Sequence, residues 1–194
     1  MNQQELVEKQ HQGNESAFSK LVDEWQDMVY NTAVSIVQNA DDADDITQEV
    51  FMQVYQSISS FKGESKFSTW LYRITVSKAL DHEKKKKRKK RFGIVQSLFG
   101  FGEEEQVPAV EFDHPGVLIE KKEGAAALFN ALKQLPDSQR IAFTLHKLEG
   151  QSYQEIAAIM HTTLYSVESL MGRAKGNLKK ILNKYYQDKN DLIN

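Results

Sequence analysis

The sequence has no cysteine, only 3 prolines among its 194 residues, and no long apolar run. Without cysteine there is no disulfide framework, no thiolate metal site and no cysteine nucleophile. No apolar stretch approaches the roughly 20 residues that cross a bilayer, and the polar start Met1–Glu8 lacks the apolar core of a signal peptide. We therefore expect a soluble protein of a reducing, cytoplasmic compartment.

The common signatures of catalysis are also missing. The 5 histidines form no Glu-x-x-His or His-Glu-x-x-His arrangement, and no phosphate-binding glycine loop is present. In an enzyme, such patterns would hold a metal or a nucleotide. We therefore expect no enzymatic activity, no cofactor, no metal and no small-molecule substrate.

Charge is strongly segregated along the chain, although the net charge is only −2. Residues 1–60 carry 2 basic and 11 acidic side chains, whereas residues 61–91 carry 12 basic and 3 acidic ones. Residues 92–120 carry 6 acidic and no basic side chains, and residues 121–194 carry 11 basic and 7 acidic ones. Solvated helix faces would explain any single block, but the ordered alternation favours one surface for a basic partner and two for a polyanion.

Helical periodicity runs through the first half of the chain. Apolar residues recur there at the three-to-four spacing of an amphipathic helix. The predicted helices are residues 18–36, residues 43–58 and a third that starts near Phe67. The third leads into the basic run Lys84–Arg91, where self-repulsion predicts fraying. We place a first domain at residues 1–91.

Residues 92–116 are predicted to be a flexible linker, because they combine glycines, two prolines and three consecutive glutamates with no lasting period. Four apolar residues of this part are Phe92, Leu98, Phe99 and Phe101. They either dock on another surface or pack locally against one domain, and the sequence leaves both alternatives open.

The remaining residues 117–194 are predicted to form a second helical domain. Pro136 ends its first helix, and Asp137 is placed to cap the next. Gly150 then stops that second helix. The domain therefore begins with two short helices.

The end of this domain has the pattern of a helix-turn-helix. Ser152 and Glu155 have the spacing of a capping box and start a short helix that reaches Met160. A turn at His161–Thr163 follows, and Thr163 is the expected cap of the last helix. A plain helical hairpin has the same spacing, but the basic tail of the last helix favours a reader of the major groove.

Seven segments of the chain carry a resemblance to a known family. They are Asp41–Phe51, Phe61–Ile74, Ala79–His82, Leu135–Phe143, Leu148–Ala157, Ser166–Ser169 and Arg173–Lys175. The first three resemble region 2, and the last four region 4, of the extracytoplasmic-function sigma factors, the small members of the sigma-70 family. The resemblance implies an all-α fold: a region 2 helical bundle and a region 4 helix-turn-helix domain, joined by the flexible linker.

The same resemblance implies a function in transcription. Such a subunit binds core RNA polymerase, recognises the -35 and -10 elements of promoter DNA and catalyses nothing itself. Proteins of this kind are commonly sequestered by an anti-sigma factor, which is often membrane-bound. The alternative is a stand-alone helix-turn-helix regulator, which would usually dimerise or hold a ligand and has no need of the Asp41–Phe51 surface.

The family docks on the polymerase clamp helices through region 2. In this chain the matching residues form an acidic, amide-bearing helix face: Asp41, Asp44, Asp45, Gln48 and Glu49. Compensation of the helix dipole also explains acids at a helix start. Gln48 and Glu49 lie too far into the helix for that explanation.

Recognition of the -10 element requires stacking and hydrogen bonds for exposed bases and positive charge for their phosphates. The matching residues are Lys62, Lys66, Thr69, Tyr72, Arg73, Ser77 and Lys78. Phe67 and Trp70 are expected in the core instead, because their spacing matches that of the apolar positions. Ser77 stands where the family commonly has an asparagine, so the preferred -10 sequence is left open.

Recognition of the -35 element is assigned to the start of the last helix. The matching residues are Thr163, Tyr165, Ser166, Glu168, Ser169, Arg173 and Lys175. Many family members carry basic residues where this chain has Glu168 and Leu170, so arginine readout of guanine is absent at those points. Glu168 either accepts a hydrogen bond from a cytosine amino group or supports Arg173 within the helix.

Overall fold

The computed structural model describes residues 15–98 and 122–193. All regular structure in these two ranges is helical, which confirms the predicted all-α class. The elements are α1 (Glu15–Val37), α2 (Ala40–Ser57), a 3-10 turn (Ile58–Ser60), α3 (Phe67–Leu98), α4 (Lys122–Lys133), α5 (Asp137–Lys147), α6 (Tyr153–Ile159) and α7 (Leu164–Ile193). None of the described helices is both long enough and apolar enough to cross a membrane.

The first three helices form a bundle around one apolar core. Between α1 and α2 the chain reverses at Gln38, which has a left-handed φ of 52°. Asn39 then caps α2, because its side-chain oxygen accepts a hydrogen bond from the Asp42 amide at 2.8 Å. Fully buried side chains from each helix meet inside, and they include Leu21, Val29, Ile46, Val50 and Leu71. The three-to-four apolar spacing thus predicted the inward faces correctly.

Helix α3 runs further than the sequence predicted. The basic run was expected to fray, but the helix continues through it to Leu98. Acidic side chains relieve the self-repulsion: the Lys84 ammonium lies 3.2 Å from the Asp81 carboxylate, and Lys86 pairs with Asp42. The expected linker residues from Phe99 onward, with Phe101, lie outside the described residues.

The second domain begins with two helices that meet at Pro136. Asp137 was expected to cap α5, but Pro136 occupies the cap position and Asp137 is the first helical residue. The helix dipole favours a carboxylate in the first turn of a helix even when that residue is not the cap. The Asp137 carboxylate also accepts a hydrogen bond from Arg140 at 3.1 Å. Beyond the end of α5, Gly150 has a left-handed φ of 68°, which glycine adopts without strain.

The predicted helix-turn-helix is present. Ser152 and Glu155 form the capping box of α6, with both reciprocal hydrogen bonds in place. The turn passes through His161, whose φ is 50°. Thr163 caps the start of α7 as predicted, since its hydroxyl accepts a hydrogen bond from the Ser166 amide at 3.1 Å. Buried Val167 and Met171 hold α7 in the core.

The two domains pack directly on each other. Helix α1 lies against α5, and α3 lies against α6. One cluster of buried apolar side chains continues across the boundary, so that Leu71 belongs to the same core as Leu145 and Ile156. A smaller cluster around Leu132 and Leu178 joins α4 to α7. This arrangement decides which functional side chains remain accessible.

Candidate nucleic-acid and polymerase interfaces

The candidate polymerase-binding residues lie together on one exposed face of α2, called here the acidic face. Its members Asp41, Asp44, Asp45, Gln48 and Glu49 are all exposed. Between them, Ala43, Ile46 and Val50 are buried in the bundle. The helix therefore separates its two sets of residues as the sequence predicted. Only Glu49 of the five has a nearby cation among the described side chains, the Lys78 ammonium at 3.5 Å.

An apolar patch continues the acidic face toward the end of α2. Met52 and Tyr55 are 63% and 52% exposed, although most large apolar side chains of this domain are buried. They line a shallow groove with Phe18, Phe51, Gln48 and Gln56. Tyr55 was not singled out from the sequence. The sequence does contain a signal for Tyr55. It follows Met52 by three residues, and this spacing places both side chains on the same face of α2 as Gln48.

The candidate -10 residues do not share one exposed surface. Lys62, Lys66 and Ser77 are exposed, and Arg73 and Lys78 are partly exposed. Thr69 and Tyr72, in contrast, are only 7% and 5% exposed. Phe67 is buried as expected, and its ring packs at 5.5 Å from that of partly buried Trp70.

Side chains of the second domain cover this part of α3. The Lys66 ammonium lies 2.9 Å from a Glu155 carboxylate oxygen, and Arg73 Nε donates a hydrogen bond to the Ala158 carbonyl at 2.9 Å. The Tyr72 hydroxyl donates to the Glu149 carboxylate at 3.2 Å. Burial, and next the negative charge of Glu149, raise the pKa of Tyr72, so the phenol stays protonated.

Glu149 is itself a partly buried carboxylate in the contact between the domains. Burial raises its pKa, while hydrogen bonds from Tyr72 and Thr32 act in the opposite direction. Both hydrogen-bond partners belong to the first domain. A single carboxylate of the second domain thus joins α1 and α3.

The start of α7 is open to solvent. Tyr165 is 80% exposed, and Glu168, Arg173 and Lys175 are exposed too. Arg173 Nη2 donates a hydrogen bond to the Ser169 hydroxyl at 2.7 Å. Within the described residues, Arg173 makes no hydrogen bond or ion pair with Glu168. The residue of α7 that holds its side chain is therefore Ser169. The Glu168 carboxylate remains available to a ligand.

One domain carries an exposed helix-turn-helix and the other an exposed acidic helix face, a combination typical of a DNA-binding protein that also uses a protein partner. The family model described as Sigma-70 region 2 matches residues 21–89, and the one described as Sigma-70, region 4 matches residues 125–178. The chain belongs to the sigma-70 family, as a sigma factor of the extracytoplasmic-function (ECF) type. It binds core RNA polymerase and directs promoter-specific initiation of transcription.

Two relatives cover nearly the whole chain. The RNA polymerase sigma-H factor of Pseudomonas aeruginosa is 33% identical over 186 residues, which is 92% of this chain and 93% of that protein. The ECF RNA polymerase sigma-E factor of Escherichia coli K12 is 34% identical over 175 residues, with 90% and 91% covered. Both matches run through the two domains.

Solved structures have the same fold. CnrH in complex with the cytosolic domain of CnrY matches with a TM-score of 0.65 at 23% identity, over 92% of this chain and 96% of that one. The sigma factor RpoE of Bartonella quintana, in complex with the anti-sigma factor NepR, matches with a TM-score of 0.61 at 25% identity, over 86% and 96%.

The charge of Glu155 gives a prediction about stability and pH. Its hydrogen bonds with Lys66 first, then with Ser152, lower its pKa from 4.5 to about 2. A carboxyl with a depressed pKa stabilises the folded chain above its unfolded pKa, and that contribution is lost as the pH falls through the folded value. Glu155→Ala should therefore cost about 1 kcal/mol at neutral pH, and the deficit should shrink below about pH 4.5.

Urea denaturation at several pH values between about 7 and 3 measures this difference. Glu155→Gln is the matched control, because the amide keeps an acceptor for Ser152 but does not titrate. A wild-type advantage over Glu155→Ala that is unchanged across the whole pH range would show that the charge of Glu155 contributes nothing.

Proposed function

We propose that the acidic face of α2 docks on a basic surface of core RNA polymerase. The support is geometric: five side chains of acid or amide type are exposed together, while their helical neighbours are buried in the core. An acidic surface accelerates association with a basic partner and fixes its orientation. The exposed Met52 and Tyr55 lie next to it and supply the apolar area that charges alone do not provide.

Contact with the -10 element is proposed for the first turns of α3 and the loop before it. Lys62, Lys66, Arg73 and Lys78 offer positive charge for phosphates, and Tyr72 offers an aromatic ring on which a base can stack. Thr69 and Ser77 add hydroxyl groups that accept and donate hydrogen bonds. Lys66, Tyr72 and Arg73 already bind acidic or carbonyl oxygen atoms in the contact with the second domain, which supports an affinity for phosphate-like groups.

Contact with the -35 element is proposed for the exposed start of α7. Tyr165, Ser166, Glu168 and Ser169 lie within its first two turns, where a recognition helix meets base edges. Thr163 at the cap and the cations Arg173 and Lys175 suit adjacent phosphates. The proposal is supported by the exposure of this helix start, because no described side chain covers it.

The whole protein thus acts as a promoter-specificity subunit in the bacterial cytoplasm and catalyses no reaction itself. An anti-sigma factor is proposed as its regulator, since the similar RpoE of Bartonella quintana is seen with the anti-sigma factor NepR. The single observation that carries the docking role is the acidic face of α2, which a stand-alone helix-turn-helix regulator does not need.

Run-off transcription tests this function. Core polymerase is mixed with DNA fragments from the source genome, with and without the chain, and the 5′ ends of the transcripts are mapped. We expect discrete transcripts only when the chain is present. A chain that binds DNA but never supports initiation with core polymerase would instead be a stand-alone regulator.

Replacement of Gln48 and Glu49 by alanine should weaken association with core polymerase by about tenfold or more, because it removes two central polar groups of the acidic face. The fold should be unaffected, since both residues are exposed. Fluorescence anisotropy of the labelled chain with core polymerase measures the change. Glu24 and Gln26, exposed on α1, give a matched control double substitution to alanine. Equal affinities of the two variants would remove the acidic face from the mechanism.

Replacement of Glu168 by lysine should change which -35 sequence is preferred, with a change in discrimination of about 1–3 kcal/mol, because an acceptor at a base edge becomes a donor. Lys179 and Lys180 lie further along α7, so their replacement by alanine should weaken all sequences alike. Selection from randomised -35 elements with holoenzyme compares the two variants. If Glu168→Lys selects the same sequences as the wild type, the base reading comes from neighbouring residues.

A further inference from the structure

The basic run of α3 is only partly neutralised by the rest of the molecule. Acidic side chains of α2 and α5 pair with Lys86 and Lys87. Lys85 and Arg88 are exposed, and neither forms a hydrogen bond or an ion pair with any side chain that the structure describes. The run therefore has one side that is held by acids and another whose charges are unpaired within the described part of the chain.

These two unpaired cations line a small cavity between α2 and α3. Its volume is about 160 Å³, and Lys78, Lys85 and Arg88 of α3 line it together with Glu49 of α2. Lys78 and Lys85 are seven residues apart, which puts them on one face of the helix and about 10 Å apart along its axis. Sites that enclose a drug-sized ligand measure roughly 300–1,000 Å³. The cavity therefore suits a smaller group.

Cations outnumber carboxylates in the lining of this cavity. Lysine and arginine supply four cations, against the carboxylates of Glu49 and Asp81, and His82 completes the lining. Each carboxylate has a cation of its own: Glu49 lies 3.5 Å from the Lys78 ammonium, and Asp81 lies 3.2 Å from that of Lys84. The excess of positive charge therefore rests on the two unpaired cations, and the cavity favours an anionic ligand.

We propose that the cavity binds a compact oligophosphate, either inorganic or the phosphate tail of a nucleotide whose base stays outside. An arginine guanidinium binds two phosphate oxygens with its planar fork, and a lysine ammonium adds a compact positive charge. Lys85 and Arg88 are one helical turn apart and hold the first phosphate group together. Lys78 lies two turns before Lys85, where it meets the far end of a short phosphate chain.

A long polyanion such as duplex DNA fits this place less well. Glu49 belongs to the acidic face, and Asp45, another member, is exposed one turn earlier on α2. Duplex DNA carries a negative charge for about every 1.7 Å of its axis. A duplex over the cavity would therefore also approach these carboxylates and be repelled, whereas a compact ligand inside it meets a lining of net positive charge.

The bound ligand acts on the acidic face through Glu49. It competes with Glu49 for the Lys78 ammonium and adds negative charge beside the acidic face, so the affinity for a basic surface of core polymerase rises. This effect rests on the proposed docking role of the acidic face. By linkage, polymerase strengthens the binding of the ligand by the same factor. The cavity thereby couples a small anion to polymerase docking.

Calorimetric titration of the free, full chain with inorganic tripolyphosphate tests the site at about 0.15 M salt, where long-range attraction is screened. The double substitution Lys85→Ala and Arg88→Ala should weaken binding about tenfold or more, because it removes two charge-assisted contacts. Lys133→Ala with Lys147→Ala removes the same charge from exposed positions of the second domain and should leave the affinity unchanged. Circular dichroism checks that both variants keep their helices. Equal losses in the two variants would show unspecific attraction and overturn the site.

Two further arms of the titration locate the site and identify the ligand. Glu49→Gln should tighten tripolyphosphate binding more than Asp45→Asn, the same loss of charge one turn away, because it frees Lys78. ATP in place of tripolyphosphate distinguishes a nucleotide, which binds more tightly, from an inorganic ligand. A mixed-sequence DNA duplex is the rival ligand. If the Lys85 and Arg88 variant loses affinity for the duplex but keeps it for tripolyphosphate, these cations belong to a DNA-binding surface and the proposal is overturned.

Fluorescence anisotropy with core polymerase tests the coupling. Tripolyphosphate should tighten the association of the wild type about two- to fivefold, the range of an exposed ion pair, and should not change that of the Lys85 and Arg88 variant. This variant also controls for any action of tripolyphosphate on polymerase itself. If the wild type responds no more than the variant although replacement of Gln48 and Glu49 weakens docking, the coupling is overturned. If that replacement has no effect either, the docking role fails, and calorimetry on the free chain decides the site independently.

Discussion

The contact between α3 and α6 is the interaction on which the arrangement of this molecule depends. It joins a helix of the first bundle to the first helix of the helix-turn-helix. Leu71 of α3 and Ile156 of α6 are buried in the same apolar core. Burial of apolar surface stabilises this contact, but the hydrophobic effect is not directional and does not set the orientation of the helices. The polar part comes from Lys66, just before α3, and from Tyr72 and Arg73 on α3. Their partners lie on α6 and in the loop before it, and these hydrogen bonds fix which faces meet. Both domains therefore share one packing unit, although each carries its own proposed DNA reader.

The segregated charges of the sequence have an internal use as well as an external one. The basic run of α3 is paired with acids from α2 and α5, through Lys86 with Asp42 and Lys87 with Asp137. These pairs join residues 44 and 50 positions apart. Individually, exposed ion pairs contribute little to stability. Together they reduce the repulsion within the run enough for a continuous helix, which explains why the expected fraying is absent.

Local patterns in the sequence predicted local structure well, and distant contacts poorly. The capping box of Ser152 and Glu155 and the cap at Thr163 depend on residues three apart, and both are present. The start of α5 was misplaced by one residue, because proline and aspartate both favour that position. No local signal places Glu149 against Tyr72, 77 positions earlier in the chain. The acidic face of α2 was predictable since helical period alone exposes it, whereas the burial of residues proposed for the -10 element was not.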